Sequence, residues 1–308
     1  MAKGKNAITQ KQTQNRKRKK KVLITGSNGM LGSSLLERLK KKYSIKGITI
    51  EDADITDFDA VVKVIRKIRP DIVIHTAGYT KVDDCESNIN LAYRVNGIGT
   101  RNVAVACQRI DASMVYISTD YVFDGTKDSP YIEFDAVSPL SVYGKTKLAG
   151  EEFVRQILNR FYIIRTSWLY GAGGVNFVDT IINKVNTVGA EGNVPLKVVD
   201  DQTGSPTYTK DLADKIGEII DRERYGIYHV TNSGSCSWFE FAKKIIDISH
   251  IGPIRLISIK SSELNRPAKR PANSVLQNFM LELEGIPLLR RWEEAVGEYV
   301  RKTTSVNM

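Results

Sequence analysis

The sequence is poor in the residues that build metal centres and disulfide frameworks. It has three cysteines, Cys85, Cys107 and Cys236, far apart and with no CxxC spacing. A disulfide scaffold is excluded, and a reduced, cytoplasmic setting is expected. The three histidines, His75, His229 and His250, are equally scattered, so no metal-ligand pattern forms and packed or surface positions are expected. No apolar run approaches the roughly 20 residues that cross a bilayer. The N-terminus lacks the apolar segment of a secretory signal.

Acidic residues are missing from one place. Residues 1–21 carry nine of the 45 Lys and Arg and none of the 35 Asp and Glu, so the formal charge of +10 sits almost wholly in that stretch. The remainder is close to neutral. A segment so polar is expected to be disordered over residues 1–20. A solubilising extension, a choice of start site and contact with an acidic surface all remain open for it. Nothing else favours nucleic-acid binding, and none is expected.

The 308 residues suffice for one large domain or two modest ones. Short apolar runs alternate with amphipathic stretches. "KVLIT" (21–25), "GITI" (47–50), "DIVIHTA" (71–77) and "SMVYIS" (113–118) are predicted strands. Residues 31–42, 58–70 and 90–110 are predicted helices. Continuous apolar strands separated by helices imply a doubly wound parallel sheet of Rossmann type, an α/β fold. Past residue 170 the alternation weakens, which implies a smaller mixed α/β substrate-binding lobe over 171–308. Residues 21–170 would be mainly dinucleotide-binding, and the chain crossing between lobes is left open. Chemistry is expected in the cleft between them.

"GSNGMLG" places Gly26, Gly29 and Gly32 after the first strand and at the start of a helix. Gly26 would permit the tight turn, Gly29 a close approach to a diphosphate, and Gly32 packing of helix on sheet. In "EDADITD" (51–57), Glu51 stands where an acid can hold an adenosine ribose, which favours NADH. Asp54 and Ile55 could instead border the adenine, and a capped loop is also credible. "VYGKTKLAG" sets Tyr143 one helical turn before Lys147. A lysine there can pull a phenol pKa down from its usual ~10, although an ordinary surface pair has the same spacing. Upstream, "STDYVFDG" ends the fourth strand with Thr119.

A hydroxyl, a phenol and an amine in this order resemble the extended short-chain dehydrogenase/reductase family, whose hallmark is YxxxK with an upstream Ser or Thr. "GYTKVDDCE" (78–86), "SPLSVYGKTKLAGE" (138–151), "RTSWLYG" (165–171) and "DDQTGSPTY" (200–208) are more specific. They resemble the dTDP-4-dehydrorhamnose reductase branch over nearly everything from Lys21 to about residue 300. The resemblance implies NAD(P)H-dependent reduction of the C4 ketone of dTDP-4-dehydro-L-rhamnose. It makes Tyr143 the proton donor, Lys147 the holder of the nicotinamide ribose and tuner of the phenol, and Thr119 a hydrogen-bond partner of the reacting oxygen. Gly29, Met30 and Leu31 would lie on the diphosphate, and Asp54 and Ile55 near the adenine. Ala77, Gly78, Tyr79 and Thr80 would border the cofactor. Thr80, Val82, Asp120, Tyr121 and Trp168 would reach the sugar.

The basic tail falls outside the family pattern. Magnesium, associated with some members near a dimer contact, is not supported by "GEYVRKTTSVNM", which has one acid. A homodimer is left open. A catalytically silent cofactor-binding subunit, like the regulatory subunit of methionine adenosyltransferase, shares the same frame. So does a nucleotide-sugar epimerase or dehydratase. The intact Thr119, Tyr143 and Lys147 weigh against the first. The lack of an Asp-Glu pair after Thr119 weighs against dehydration.

Overall fold

A computed structural model describes residues 18–191, 195–249 and 254–305. The chain runs β1 (Lys21–Thr25), α1 (Met30–Leu39), β2 (Ser44–Ile48), α2 (Phe58–Ile68), β3 (Ile72–His75), α3 (Val82–Ser87), α4 (Ile89–Ala92), α5 (Thr100–Gln108), β4 (Ser113–Thr119), α6 (Val142–Ile157) and β5 (Phe161–Thr166). It continues through β6 (Leu169–Tyr170), α7 (Phe177–Glu191), β7 (Leu196–Val199), β8 (Thr203–Gly204), β9 (Thr207–Tyr208), α8 (Thr209–Arg222) and β10 (Gly226–His229). It ends with β11 (Cys236–Ser237), α9 (Trp238–Ser249), β12 (Leu256–Ile259), α10 (Phe279–Leu283) and α11 (Trp292–Ser305).

Six strands form one parallel sheet in the order β2-β1-β3-β4-β5-β10. The order reverses between β1 and β3, and the crevice at such a reversal is where open α/β sheets bind ligands. The central strands are mostly apolar because both faces are covered. One face packs on α1 and α8 through Leu35, Leu39, Leu212 and Ile216. The other packs on α2, α5 and α6 through Val61, Ile65, Val103 and Val154. Each such side chain contributes about 1.5–3 kcal/mol when fully buried. Helix α2 starts on Asp57, whose side chain accepts from the Ala60 N–H at 3.0 Å, and stops at left-handed Arg69 just before Pro70.

Two elements differ from the sequence expectation. Strand β2 covers 44–48, not 47–50, because it pairs residue for residue with β1, Lys21 to Ser44 through Thr25 to Ile48. It is an edge strand with alternating burial, so its first half reads as polar. The helix expected over 90–110 is broken into α4, a π-helical turn Tyr93–Gly99 and α5. Such turns recur at functional sites. Here the turn aims Asn96 inward, where its Oδ1 accepts from the Tyr79 N–H (2.8 Å). Its Nδ2 donates to the Tyr79 carbonyl (3.0 Å) and to Thr146 Oγ1 (3.0 Å).

The chain crosses between lobes. After building β6 to β9 of the far lobe it returns, adding α8 to the first core and β10 to the sheet edge. Leu281, Ile286 and Leu289 return again to the same core. The far lobe has its own core, with Val178, Ile182, Phe241, Ile245 and Val296 inside it.

Residues 1–17 of the expected tail, and His250, lie outside the described residues. Residues 18–20 do touch the body. Arg18 pairs with Asp71 (3.0 Å), Lys19 Nζ donates to the Lys41 carbonyl (2.8 Å), and Lys20 pairs with Glu223. These are exposed contacts, each worth about 0–1 kcal/mol. Among the described residues no helix is long and apolar enough to cross a membrane.

Candidate functional site

At the strand reversal lies a cleft of about 590 Å³. Its floor is the turn after β1. Gly26 holds φ +65, and a Cβ there would come within 2.8 Å of the Ala77 backbone at the end of β3. A Cβ on Gly32 would meet the Gly26 carbonyl at 2.3 Å, so α1 seats directly on the turn. Helix α1 has Gly29 as its N-cap and no side-chain cap, which leaves backbone N–H groups at its first turn for an anion. Met30 and Leu31 line the same wall. At the far end stand Thr49, Ile50, Ala53, Asp54 and Ile55, and in the middle Ala77, Gly78 and Thr80. The shape and the glycine cradle fit a dinucleotide.

Tyr143, Lys147, Thr119, Asp120 and Trp168 line the other end. Tyr143 stands in the first turn of α6, which is capped by Ser141 through the Gly144 N–H (3.2 Å). Thr119 ends β4; its Oγ1 accepts from the Tyr121 N–H (3.2 Å) and donates to Asp120 Oδ1 (3.0 Å). The sheet and the helix therefore bring the hydroxyl and the phenol to one place. Beneath them Glu151, on α6, is fully buried and accepts from Arg165 Nη2 (2.7 Å) and Nε (3.0 Å) and from the Ser118 hydroxyl. That buried pair fixes α6 against β4 and β5; removing one partner of such a pair costs about 3–5 kcal/mol.

The expected tuning of Tyr143 by Lys147 is not what the structure contains. Burial pushes the Tyr143 phenol up, the Thr119 hydroxyl acts in the opposite sense, and Asp120 and Tyr121 add to the rise. Lys147 has its amine engaged by β4. Its Nζ donates to the Ile117 carbonyl (2.6 Å) and lies 4.2 Å from the Tyr116 ring centre. Burial pulls the Lys147 amine down to about 7, with Glu151 opposing. The i, i+4 spacing gives a shared helix face, while the amine's hydrogen bond goes to the Ile117 carbonyl of β4. Asp120 is buried, and burial raises its carboxyl to about 6 despite hydrogen bonds that lower it. Its Oδ2 has no hydrogen-bond partner among the described residues.

Three expected residues do not line this cleft. Tyr79 is held by Asn96 at its edge, Val82 opens α3, and Tyr121 faces a second cavity. Glu51, the candidate ribose acid, is exposed and accepts from the Thr49 hydroxyl beside the cleft. Arg38, in the last turn of α1, is paired with Asp214.

The second cavity, of about 670 Å³, adjoins the first. Trp168, at φ +46, lines the first and stacks on Trp238, which lines the second; the rings are 3.5 Å apart and nearly parallel. Left-handed backbone is costly for a bulky residue, and the stacked pair retains it. Lys184, Lys197, Arg266, Lys269 and Arg270 line the second cavity, together with Phe177, and among the described residues no acid does. Sequence reasoning missed Trp238 and these cations. The one signal was the acid-free basic stretch "NRPAKRPANS". Asn96, Glu151 and Arg165 were also missed, since a buried polar residue looks in sequence like a surface one. His75 is buried between Thr25 (2.7 Å) and Thr100 (3.2 Å); because Thr100 donates to the Asn96 carbonyl (2.7 Å), the ring donates from Nε2 and accepts at Nδ1. Burial holds it neutral, at about 3.

The chain belongs to the family described as the RmlD substrate binding domain, which matches residues 20–305. The spore coat polysaccharide biosynthesis protein SpsK of Bacillus subtilis (strain 168) is 43% identical over 286 residues, 92% of this chain and 98% of that protein. The dTDP-4-dehydrorhamnose reductase of Streptomyces griseus is 40% identical over 283 residues, 90% of this chain and 91% of its own length. The crystal structure of dTDP-4-dehydrorhamnose reductase from Bacillus anthracis str. Ames, in complex with NADP, superposes with a TM-score of 0.88 at 45% identity. It covers 92% of this chain and 99% of that one.

Proposed function

We propose that this chain reduces the C4 ketone of dTDP-4-dehydro-L-rhamnose to the alcohol of dTDP-L-rhamnose, using NADH or NADPH. The observation that carries the reading is the meeting of Thr119, Tyr143 and Lys147 at one end of a glycine-floored cleft, beside a cation-lined cavity. The named relatives support it. Gly26, Gly29, Met30, Leu31 and Gly32 would hold the cofactor diphosphate, Asp54 and Ile55 the adenine end, and Ala77, Gly78 and Thr80 the middle, with Tyr79 behind them. When bound, the cofactor supplies a hydride to the ketone carbon.

Tyr143 gives its O–H proton to the ketone oxygen as negative charge grows there. Thr119 Oγ1 orients that oxygen and shares in its charge. The phenol is protonated at neutral pH, and although burial makes it a weaker acid, the alkoxide that grows on the ketone oxygen is the stronger base and takes its proton. Lys147, a neighbour of the reacting end, would hold the nicotinamide ribose. Trp168, Asp120, Thr80 and Val82 would shape the sugar site, and Tyr121 would close it toward the second cavity. There the cations would take the sugar nucleotide's diphosphate, and Phe177 or Trp238 its thymine face. The three cysteines, all free and buried, suit the cytoplasm.

The test is oxidation of NADPH and NADH by the purified chain with dTDP-4-dehydro-L-rhamnose, against the UDP-linked 4-keto sugar as control. Turnover with the first substrate is expected. Cofactor binding without turnover on any 4-keto sugar would make the protein a silent binding subunit instead.

A further inference from the structure

The cationic wall of the second cavity has an acid behind it. Asp83 stands in the first turn of α3, next to Val82. Its two oxygens accept from Arg270 Nη1 and Nη2, both at 3.0 Å, in a forked pair. They also accept from Arg266 Nη1 (3.3 Å) and from the Ala268 N–H (3.2 Å). The partners come from the segment that walls the cavity, more than 180 positions along the chain. Asp83 itself does not line the cavity. Arg270, whose side chain is 13% exposed, sits beside Tyr121 and draws its phenol's pKa down against the burial that raises it. The Tyr121 ring meets Tyr143 edge-on, centres 5.9 Å apart.

A free arginine side chain has about 2 kcal/mol of rotamer entropy to lose on gripping an anion. Two guanidinium groups this close also repel one another. One carboxylate between them removes both costs and leaves the pair with net positive charge. Lys269 adds to it. We infer that Asp83 is a positioning residue for substrate binding: it holds Arg270 and Arg266 in place for a nucleoside diphosphate and, through Arg270 and Tyr121, sets that grip at a fixed distance from Tyr143. This rests on the proposal that the substrate is a dTDP-sugar. It adds a residue from the cofactor lobe to the nucleotide-diphosphate site of the far lobe.

The experiment is calorimetric titration of dTDP and, separately, of NADPH into the full chain and into Asp83→Asn and Asp83→Glu. In Asp83→Asn, dTDP binding should weaken about tenfold or more, equivalent to about 1.4 kcal/mol. NADPH binding should stay unchanged. Asp83→Glu, which restores the charge, should recover part of the loss. KM for the dTDP-sugar should rise more than kcat falls, since Asp83 touches no reacting atom. Unchanged dTDP affinity in Asp83→Asn, even with a lower melting temperature, would reduce Asp83 to a structural tie and overturn the inference alone. Tighter dTDP binding would mean that Asp83 only repels the ligand, and would also overturn it. Failure of the unaltered chain to bind dTDP would remove the substrate reading, and the inference with it.

Discussion

The two cavities are made from different materials. The glycine-floored cleft is built by backbone: a left-handed Gly26, an uncapped α1 and the ends of β1 and β3. The second cavity is built by side chains from distant segments: Trp238, Lys184, Lys197 and the Arg266–Arg270 stretch. A backbone site needs contiguous residues in fixed order, so it leaves a motif. A side-chain site needs only that charges converge in space, and the convergence is set by the fold.

The largest expected effect falls where the two meet. Tyr143→Phe should lower kcat by about a thousandfold, within the 10²–10⁴ range of a lost general acid, and leave NADPH and dTDP affinities near their original values. Near-normal turnover would remove Tyr143 from the chemistry.

The next effects should cross over. Gly26→Ala forces a Cβ to 2.8 Å from Ala77 at positive φ, and strain of about 1–3 kcal/mol should weaken NADPH and leave dTDP binding unaltered. Arg270→Ala should weaken dTDP by a comparable amount, about 2 kcal/mol or more, and leave NADPH unaltered. If either variant weakens both ligands equally, the two cavities do not bind separately.

Asp120 sharpens the boundary between them. Its folded carboxyl is raised to about 6 from 3.8. A raised pKa favours the folded state at low pH, and that contribution is lost as pH rises from about 3.8 through about 6. Above pH 6 the buried charge should cost up to about 3 kcal/mol. Asp120→Asn should therefore raise the melting temperature at pH 8, and the gain should vanish by pH 4. A gain independent of pH would show that the Asp120 pKa does not rise on folding.

The smallest effect concerns the adenosine end of the cleft. Among the described residues no Lys or Arg lines it there, and Arg38 is engaged by Asp214. Both cofactors should work. kcat/KM for NADPH should not exceed that for NADH by more than about a hundredfold, roughly 2.7 kcal/mol.

The same contrast explains what could be read from the residues. The doubly wound sheet was legible because β1, β3 and β4 are buried on both faces and so carry unbroken apolar runs at their centres. Edge strand β2 misled, since it alternates. In the site, Tyr143, Thr119 and the glycines were legible from motifs. The direction of Lys147 was not: helical spacing fixes the side of a helix, whereas the Ile117 carbonyl that holds the amine lies on another element. Asp83 lies in "GYTKVDDCE", yet its partners Arg266 and Arg270 lie so far along the chain that only folding pairs them.

The returning strand has a consequence for synthesis. β5 is complete at Thr166, but its outer neighbour β10 begins only at Gly226. A ribosome adding about 5–20 residues per second takes several seconds to make the interval. Meanwhile the nascent sheet presents a bare edge in Phe161–Thr166, of the sort that pairs with other chains. The far lobe's first strands are made in that gap, so the nascent protein spends its most aggregation-prone moment building the wall of the second cavity.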